Sequence, residues 1–221
     1  MTAGENIDYT LPLLETKDTV AKALDLIEEF HVVQYAVVEG KNYKGLVSEG
    51  MLLNIVDSDV KLDKIAFEFA DVFVHSSDHF FEVLKVADLH KLKVVPILDD
   101  QGDFLGVFNL AEAAPVFAKI CSTEFEGGII IVAVHEKQYS LADICRIAES
   151  NNIKVLSAYA ARNTQREGGL IITVKLNRND LSTIIKSLER YSYEILAQFS
   201  HTEIYNEDKE RLDLFLRFLN I

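Results

Sequence analysis

The sequence predicts an α+β fold in which two copies of one small unit are followed by a domain of different order. Three observations carry that reading. First, YKGLVSEGMLL (43–53) has the outline of a strand, a tight turn and a helix start, and DFLGVFNLAEA (103–113) repeats it, with Gly45 and Gly106 in register. Second, the likeness runs outward from those corners: KDTVAKALDLIEEFHVVQYAVVEGKNYKGLVSEG aligns with SDHFFEVLKVADLHKLKVVPILDDQGDFLGVFNLAE. Third, the pattern changes after CSTEFEGG (121–128) to strongly β-branched runs separated by two amphipathic stretches.

Each repeat is expected to read helix, strand, strand, helix, behind a short extended lead-in. In the first copy Val20, Ala23, Leu24 and Ile27 recur at helical spacing, with Asp18 or Thr19 as the N-cap. In the second, Phe80, Val83, Leu84 and Ala87 follow Asp78. The runs QYAVVE and VVPILDD are β-rich, turn at GKN or DQG, and lead to second strands ending at GLV or GVF. Closing helices are expected over about 49–57 and 110–119. Neither unit is large enough to bury a comfortable core alone, so the two should pack together and share a cleft.

The later segments give GGIIIVAVHE as a strand and SLADICRIAESN as a helix with Leu141, Ile144, Cys145 and Ala148 on one side. IKVLSAYAARN and LIITVKL are strands joined by TQREGG, NDLSTIIKSLERY is a helix, and YEILAQFSH is the last strand. The order is βαββαβ, with two helices on one face of an antiparallel sheet. Residues 203–221 are expected to form a C-terminal helical tail, in which NEDKERLDLFLRFLNI places Leu212, Phe215, Leu216 and Leu219 in an apolar stripe, expected to cover that sheet rather than to dock on a partner.

Charge is unevenly spread. Residues 1–120 hold 10 Lys, no Arg and 21 acidic residues, a net of −11; the remainder is −2, and together they give the chain's −13. Such a surface argues against nucleic-acid binding, which needs cations to neutralise phosphates. It also argues against a triphosphate grip in the first half, where no guanidinium fork exists. No apolar run approaches the roughly 20 residues that span a bilayer. The start, MTAGENIDYTLPLLE, lacks a signal peptide's basic region and apolar core, and two cysteines cannot build a disulfide framework. The expected compartment is the cytoplasm.

Residues about 10–120 resemble a tandem pair of CBS domains, the regulatory modules named after cystathionine β-synthase. The TVAKAL helix start, the YAVVE and VPILDD strands, and the YKGLVS and FLGVFN corners carry the resemblance. It implies units at 1–60 and 61–120 and an adenosine-containing ligand in the cleft between them. A small polar residue after the Gly-apolar-apolar step would face a phosphate, and an Asp three positions later would hold the ribose. Here those positions are Ser48 and Met51 in the first copy, and Asn109 and Glu112 in the second. The candidate ligand-binding residues are therefore Gly45, Ser48, Gly106, Asn109 and Glu112. Read without the resemblance, Gly45 and Gly106 are turn residues, Ser48 and Asn109 are helix caps, Glu112 is a first-turn carboxylate and Met51 is core.

Residues about 127–202 resemble an ACT domain, a ferredoxin-like module that often senses an amino acid and pairs with another copy. The loop where that family binds ligands reads HEKQYS (135–140) and has no Gly. A single four-stranded sheet leaves an edge or face open, which favours a homodimer. The combined order resembles stand-alone AcuB-like CBS–ACT regulatory proteins.

Nothing in the sequence pairs a nucleophile with an activating base, so an enzyme is not expected. His75 and His79 lack an HExxH setting, Cys121 and Cys145 lack a CxxC partner, and the two EGG runs fit no phosphate loop. The expected function is non-catalytic regulation, with no required cofactor and AMP, ADP, ATP or S-adenosylmethionine as the regulatory ligand. Alternatives are a protein-interaction module with a degenerate cleft, and an amino-acid sensor acting through the ACT-like part; an unidentified protein partner fits each.

Overall fold

The computed structural model describes residues 1–200. The chain divides into two compact units, Met1–Pro115 and a second that begins at Val116. The α+β class holds in both.

The first unit contains the two repeats. The first consists of β1 (Leu14–Glu15), α1 (Val20–Glu29), β2 (Gln34–Glu39), β3 (Asn42–Ser48) and α2 (Glu49–Leu52). The second repeats this with β4 (Val74–His75), α3 (Phe80–His90), β5 (Val94–Leu98) and β6 (Phe104–Asn109). A 3-10 turn, Leu110–Glu112, and α4 (Ala113–Ile120) follow. Each repeat forms a three-stranded sheet, ordered β1-β2-β3 or β4-β5-β6, with the first pair parallel and the second antiparallel.

Helix α1 starts where the Thr19 hydroxyl accepts a bond from Lys22 N, and it buries Val20, Ala23 and Ile27 on one side. Its counterpart α3 starts one residue later than the Asp78 position suggests, because His79 Nδ1 accepts from Phe81 N at 3.2 Å. Asp78 instead holds the preceding turn, accepting from His75 N at 2.8 Å, as Asp18 does from Glu15 N. In the second repeat Phe80 and Phe108 meet edge to face at 5.4 Å within its core.

Helix α2 is shorter than the expected span of 49–57. The Asn54 side chain takes the Gly50 carbonyl at 2.8 Å, which a continuing helix would give to Asn54 N. The chain then turns back, and Val60 and Ser58 carbonyls satisfy Val20 N and Ala21 N at the head of α1.

The lead-ins are exchanged between the repeats. Residues preceding the first repeat dock on the second: Phe80 N bonds Met1 O, Ala3 N bonds Asp78 O, Gly4 N bonds Ser76 O, and Asp8 N bonds Val107 O. Residues preceding the second repeat dock on the first at matching positions: Val20 N with Val60 O, Leu62 N with Asp18 O, Asp63 N with Thr16 O, and Leu46 N with Glu68 O. Ala3 and Leu62, which correspond, are both fully buried. Each helix N-terminus is thus satisfied by chain belonging to the other copy.

This exchange explains Gly45 and Gly106 differently from the turn expectation. Both lie inside strands, where β2–β3 and β5–β6 each shift register by a bulge. Their φ angles are +142° and +155°. A Cβ on Gly45 would stand 2.6 Å from Phe67 Cβ, and one on Gly106 would stand 2.5 Å from Ile7 Cγ2. Glycine is needed where the other repeat's lead-in crosses the bulge.

The second unit holds β7 (Ile129–His135), α5 (Leu141–Ser150), β8 (Val155–Arg162), β9 (Gly169–Leu176), α6 (Ser182–Arg190) and β10 (Glu194–Phe199). The sheet order is β10-β7-β9-β8, antiparallel throughout. Alternation along β7 and β9 turns Ile130, Val132, Ile172 and Val174 toward the helices. There they pack with Ile144, Ile147, Ile184 and Leu188. Each such burial is worth roughly 1.5–3 kcal/mol. Ile147 replaces Leu141 in the expected stripe; Leu141, the first residue of α5, is exposed. His201 and the tail with Leu212, Phe215, Leu216 and Leu219 lie outside the described residues.

Candidate functional site

The two sheets of the first unit meet around a local two-fold relation. Asn42 and Asp103, equivalent residues of the two hairpins, form a β-bridge, and Lys41 Nζ lies 2.7 Å from the Asp103 carboxylate. The rings of Tyr43 and Phe104, also equivalent, stack at 6.0 Å. On the opposite side Gln34 Oε1 accepts from Lys93 N at 2.7 Å. The repeats are therefore bonded to each other across a narrow seam.

A cleft lies on that seam, between the first lead-in (Leu11, Pro12), β2 (Gln34, Tyr35) and β6 (Phe104, Gly106). Its free volume is about 30 Å³. That is room for one water, whereas small-molecule pockets run to roughly 300 Å³ or more. Tyr35 is the reason. Its ring is buried, and its hydroxyl donates to Pro12 O at 2.6 Å, pinning the lead-in across the opening. Burial, aided by the Asp8 and Glu29 carboxylates, pushes this phenol well above its ordinary range, so it remains a donor at any physiological pH.

The five candidate residues fall at two corners. Gly106, Asn109 and Glu112 lie together where β6 enters the 3-10 turn, and Gly45 and Ser48 lie where β3 enters α2. Gly106 alone lines the cleft. Asn109 Oδ1 accepts from Ala111 N at 3.1 Å, so it caps the turn. Ser48 makes no cap bond; its hydroxyl donates to a Glu68 carboxylate oxygen at 3.4 Å. Glu112 is exposed at the end of the turn, and Met51 packs against the first repeat's core. Sequence reasoning missed Tyr35, Gln34 and Pro12. The available signal was Tyr35, a hydroxyl-bearing ring beside the aliphatic run Ala36, Val37 and Val38.

A larger cleft, about 560 Å³, occupies one end of the second unit's sheet. His135, Arg146, Arg166, Glu167, Tyr191 and Tyr193 line it. Arg166 forms a two-pronged pair with Glu194 at 2.6 and 3.2 Å. Arg146 meets Asp143 at 3.2 Å and lies 5.7 Å over the Tyr191 ring. Hydrogen bonding to Arg166 holds the Glu194 carboxyl below the ordinary carboxylate range; the Ser140 hydroxyl, then Arg146, does the same for Asp143. The cleft thus offers charges of both signs rather than a net cation.

Among the described residues no group of three or more His, Cys, Asp or Glu side chains is placed to hold a metal. His75 Nδ1 lies 3.3 Å from Asp99 O, and His79 caps α3. Cys121 and Cys145 are free thiols, each half-buried. No described helix is long and apolar enough to cross a membrane.

No family model matches the sequence, and no curated protein matches it. Solved structures do. A CBS domain pair/ACT domain protein from Thermotoga maritima is 21% identical, with a TM-score of 0.49, over 54% of this chain and 98% of that one. A putative acetoin utilization protein (AcuB) from Vibrio cholerae is 15% identical, with a TM-score of 0.48, over 56% of this chain and 95% of that one. The protein CBSX2, solved in complex with AMP, is 19% identical, with a TM-score of 0.46, over 54% of this chain and 97% of that one.

Proposed function

We propose that this chain is a non-catalytic ligand sensor. Residues 1–60 and 61–120 form a CBS pair and 127–202 an ACT-like domain, while 203–221 lie outside the described residues; the cleft between the repeats takes an adenosine-containing nucleotide. The observation that carries this reading is the shared wall of the cleft. A molecule there touches β2 of one repeat, β6 of the other and a lead-in that both depend on. Any ligand with unequal affinity for two arrangements of the repeats would shift their balance.

The chemistry fits adenosine best. Leu11, Phe104 and Val107 give an apolar wall for a base, and the exposed Glu112 carboxylate, at the corner after Gly106 and outside the cleft lining, would accept from the hydroxyls of a ribose reaching that corner. Ser48 and Asn109 would serve phosphate oxygens in the two related corners. The lack of any arginine in residues 1–120 favours a mono- or diphosphate over a triphosphate. The signal would pass through a homodimer to a separate protein partner.

Calorimetric titration of the full-length protein with AMP, ADP, ATP and S-adenosylmethionine tests this. One ligand should give saturable heat, and Glu112→Ala should weaken it by about tenfold, as expected for a lost charged hydrogen bond. Absence of heat and of thermal stabilisation with all four, in protein shown to be ligand-free, would overturn the reading.

Two alternatives each have an observation in their favour. The size and mixed charge of the second unit's cleft suit a zwitterion, and hence an amino-acid sensor. A thermal-shift screen of free amino acids, with Arg166→Ala as the control, would expose it. The small volume of the inter-repeat cleft and Met51 at the ribose position suit an interaction module that binds no nucleotide.

A further inference from the structure

The inter-repeat cleft is far smaller than any nucleoside, so a ligand can enter only if one wall moves. The contacts single out which. Strands β2, β5 and β6 are held in antiparallel ladders, and their cleft-facing residues Tyr35, Ala36, Val94 and Val107 are buried. The remaining wall is the stretch Tyr9–Leu13. It is tied down at its ends, where Asp8 N bonds Val107 O and Leu14 pairs with Val37 in β2. Between those points its one hydrogen bond to the body of the unit is the Tyr35 hydroxyl to Pro12 O.

The stretch also carries apolar side chains on its outside. Tyr9 is 79% exposed, and Leu13, which also borders the cleft, is 56% exposed, while Leu11 packs against the first repeat's core. Its own turn is closed by Asp8, whose carboxylate accepts from Thr10 N at 2.9 Å and from the Thr10 hydroxyl at 2.6 Å. A short strap with fixed ends, one mid-span bond and a preformed turn can swing out as a piece without disturbing either sheet. The corresponding stretch before the second repeat is held by a different group, Tyr43, whose hydroxyl donates to Phe69 O at 3.0 Å.

We propose that Tyr9–Leu13 is a gate over the inter-repeat cleft and that the Tyr35 hydroxyl is the latch that holds it shut. The identity of the entering ligand rests on the nucleotide reading; the motion does not. A ligand that offers Tyr35 a better acceptor than Pro12 O opens the gate and occupies the space the ring now guards. The Tyr35 hydroxyl then becomes a selecting group, favouring ligands with an acceptor near the base or ribose over purely apolar ones of the same shape.

The test uses full-length protein carrying Leu11→Cys, labelled with a small maleimide and read by peptide mass, so that Cys121 and Cys145 are resolved separately. Adding Tyr35→Phe should raise the labelling rate at position 11 by about fivefold, the effect of losing one buried hydrogen bond. Tyr9→Cys, exposed and outside the cleft lining, should label at the same rate in both backgrounds. An unchanged rate at position 11 in folded Tyr35→Phe protein would overturn the gate. If Tyr35→Phe does not fold, Asp8→Ala, which opens the strap's own turn, carries the same expectation and the same refutation. Repeating the labelling with saturating AMP, ADP, ATP and S-adenosylmethionine separates the two ideas. Acceleration by the latch variant with no effect of any ligand on the rate leaves the gate standing and removes the nucleotide.

Discussion

Removing residues 1–8 is expected to lower the unfolding midpoint of the first unit by roughly 15 °C, with the loss centred on the second repeat rather than the first. The reason is the exchange of lead-ins. The deletion takes away the partners of Phe80 N, Asp78 O, Ser76 O and Val107 O, all on the second repeat, and the buried methyl of Ala3. Four such bonds at about 1 kcal/mol each give roughly 4 kcal/mol. For a unit of this size each kcal/mol moves the midpoint by about 4 °C. Hydrogen exchange locates the damage: amides at the head of α3 and along β6 should lose protection first. If the lead-in served its own repeat, α1 and β3 would suffer instead.

Gly45→Ala and Gly106→Ala should both destabilise, and unequally. Each forces an L side chain into a φ region it avoids, at roughly 1–3 kcal/mol. The clashes then differ in kind. At position 45 the new methyl meets Phe67 Cβ at 2.6 Å and Glu68 O at 2.7 Å, both fixed to the backbone. At position 106 it meets Ile7 Cγ2 at 2.5 Å, the end of a side chain that can turn away. Gly45→Ala should therefore cost about 4 kcal/mol and Gly106→Ala about 2 kcal/mol. Ile7→Ala should recover part of the second loss and give a clear coupling energy in a double-mutant cycle. No truncation of Phe67 should rescue the first, because Cβ and the Glu68 carbonyl remain. Equal losses, or rescue of Gly45→Ala by Phe67→Ala, would mean that the lead-in does not set the need for glycine. Urea unfolding followed by circular dichroism suffices for the measurement.

These two cases show what the sequence could reveal. The repeat was legible because hydrophobic spacing survives in both copies: Val20, Ala23 and Ile27 match Phe80, Val83 and Ala87, and all six are buried. The order βαββαβ was legible because Ile129–His135 and Gly169–Leu176 are strongly β-branched and bounded by turn residues. The two glycines were legible as special positions, but their cause was not. What crosses Gly106 is Ile7, almost a hundred residues earlier, and a two-residue contact leaves no periodicity to find. The lead-in exchange was hidden for the same reason, since Met1, Ala3 and Gly4 act through backbone groups that every residue has. Tyr35 escaped notice because its importance depends on a carbonyl, Pro12 O, which carries no side-chain signature. Helix α2 was overread because nothing in a helical propensity reports that Asn54 will take the Gly50 carbonyl with its side chain.

Ser48, Asn109 and Glu112 stand differently from the glycines. Their residue types were read from the corner motif, and the fold puts each at a corner, but Asn109 and Ser48 already have intramolecular partners. A ligand must compete for those groups, whereas Glu112 is exposed. This is why Glu112 is the substitution of choice in a binding experiment.

The most direct test of the sensing role is amide chemical-shift mapping of isotope-labelled full-length protein with AMP, then ADP, ATP and S-adenosylmethionine. The nucleotide reading requires one of them to shift residues of both repeats together: Tyr9–Leu13, Tyr35 and Ala36 on one side, and Val94, Phe104 and Val107 on the other. Shifts confined to one repeat, shifts only around Arg146 and Arg166, or none from any of the four would contradict it.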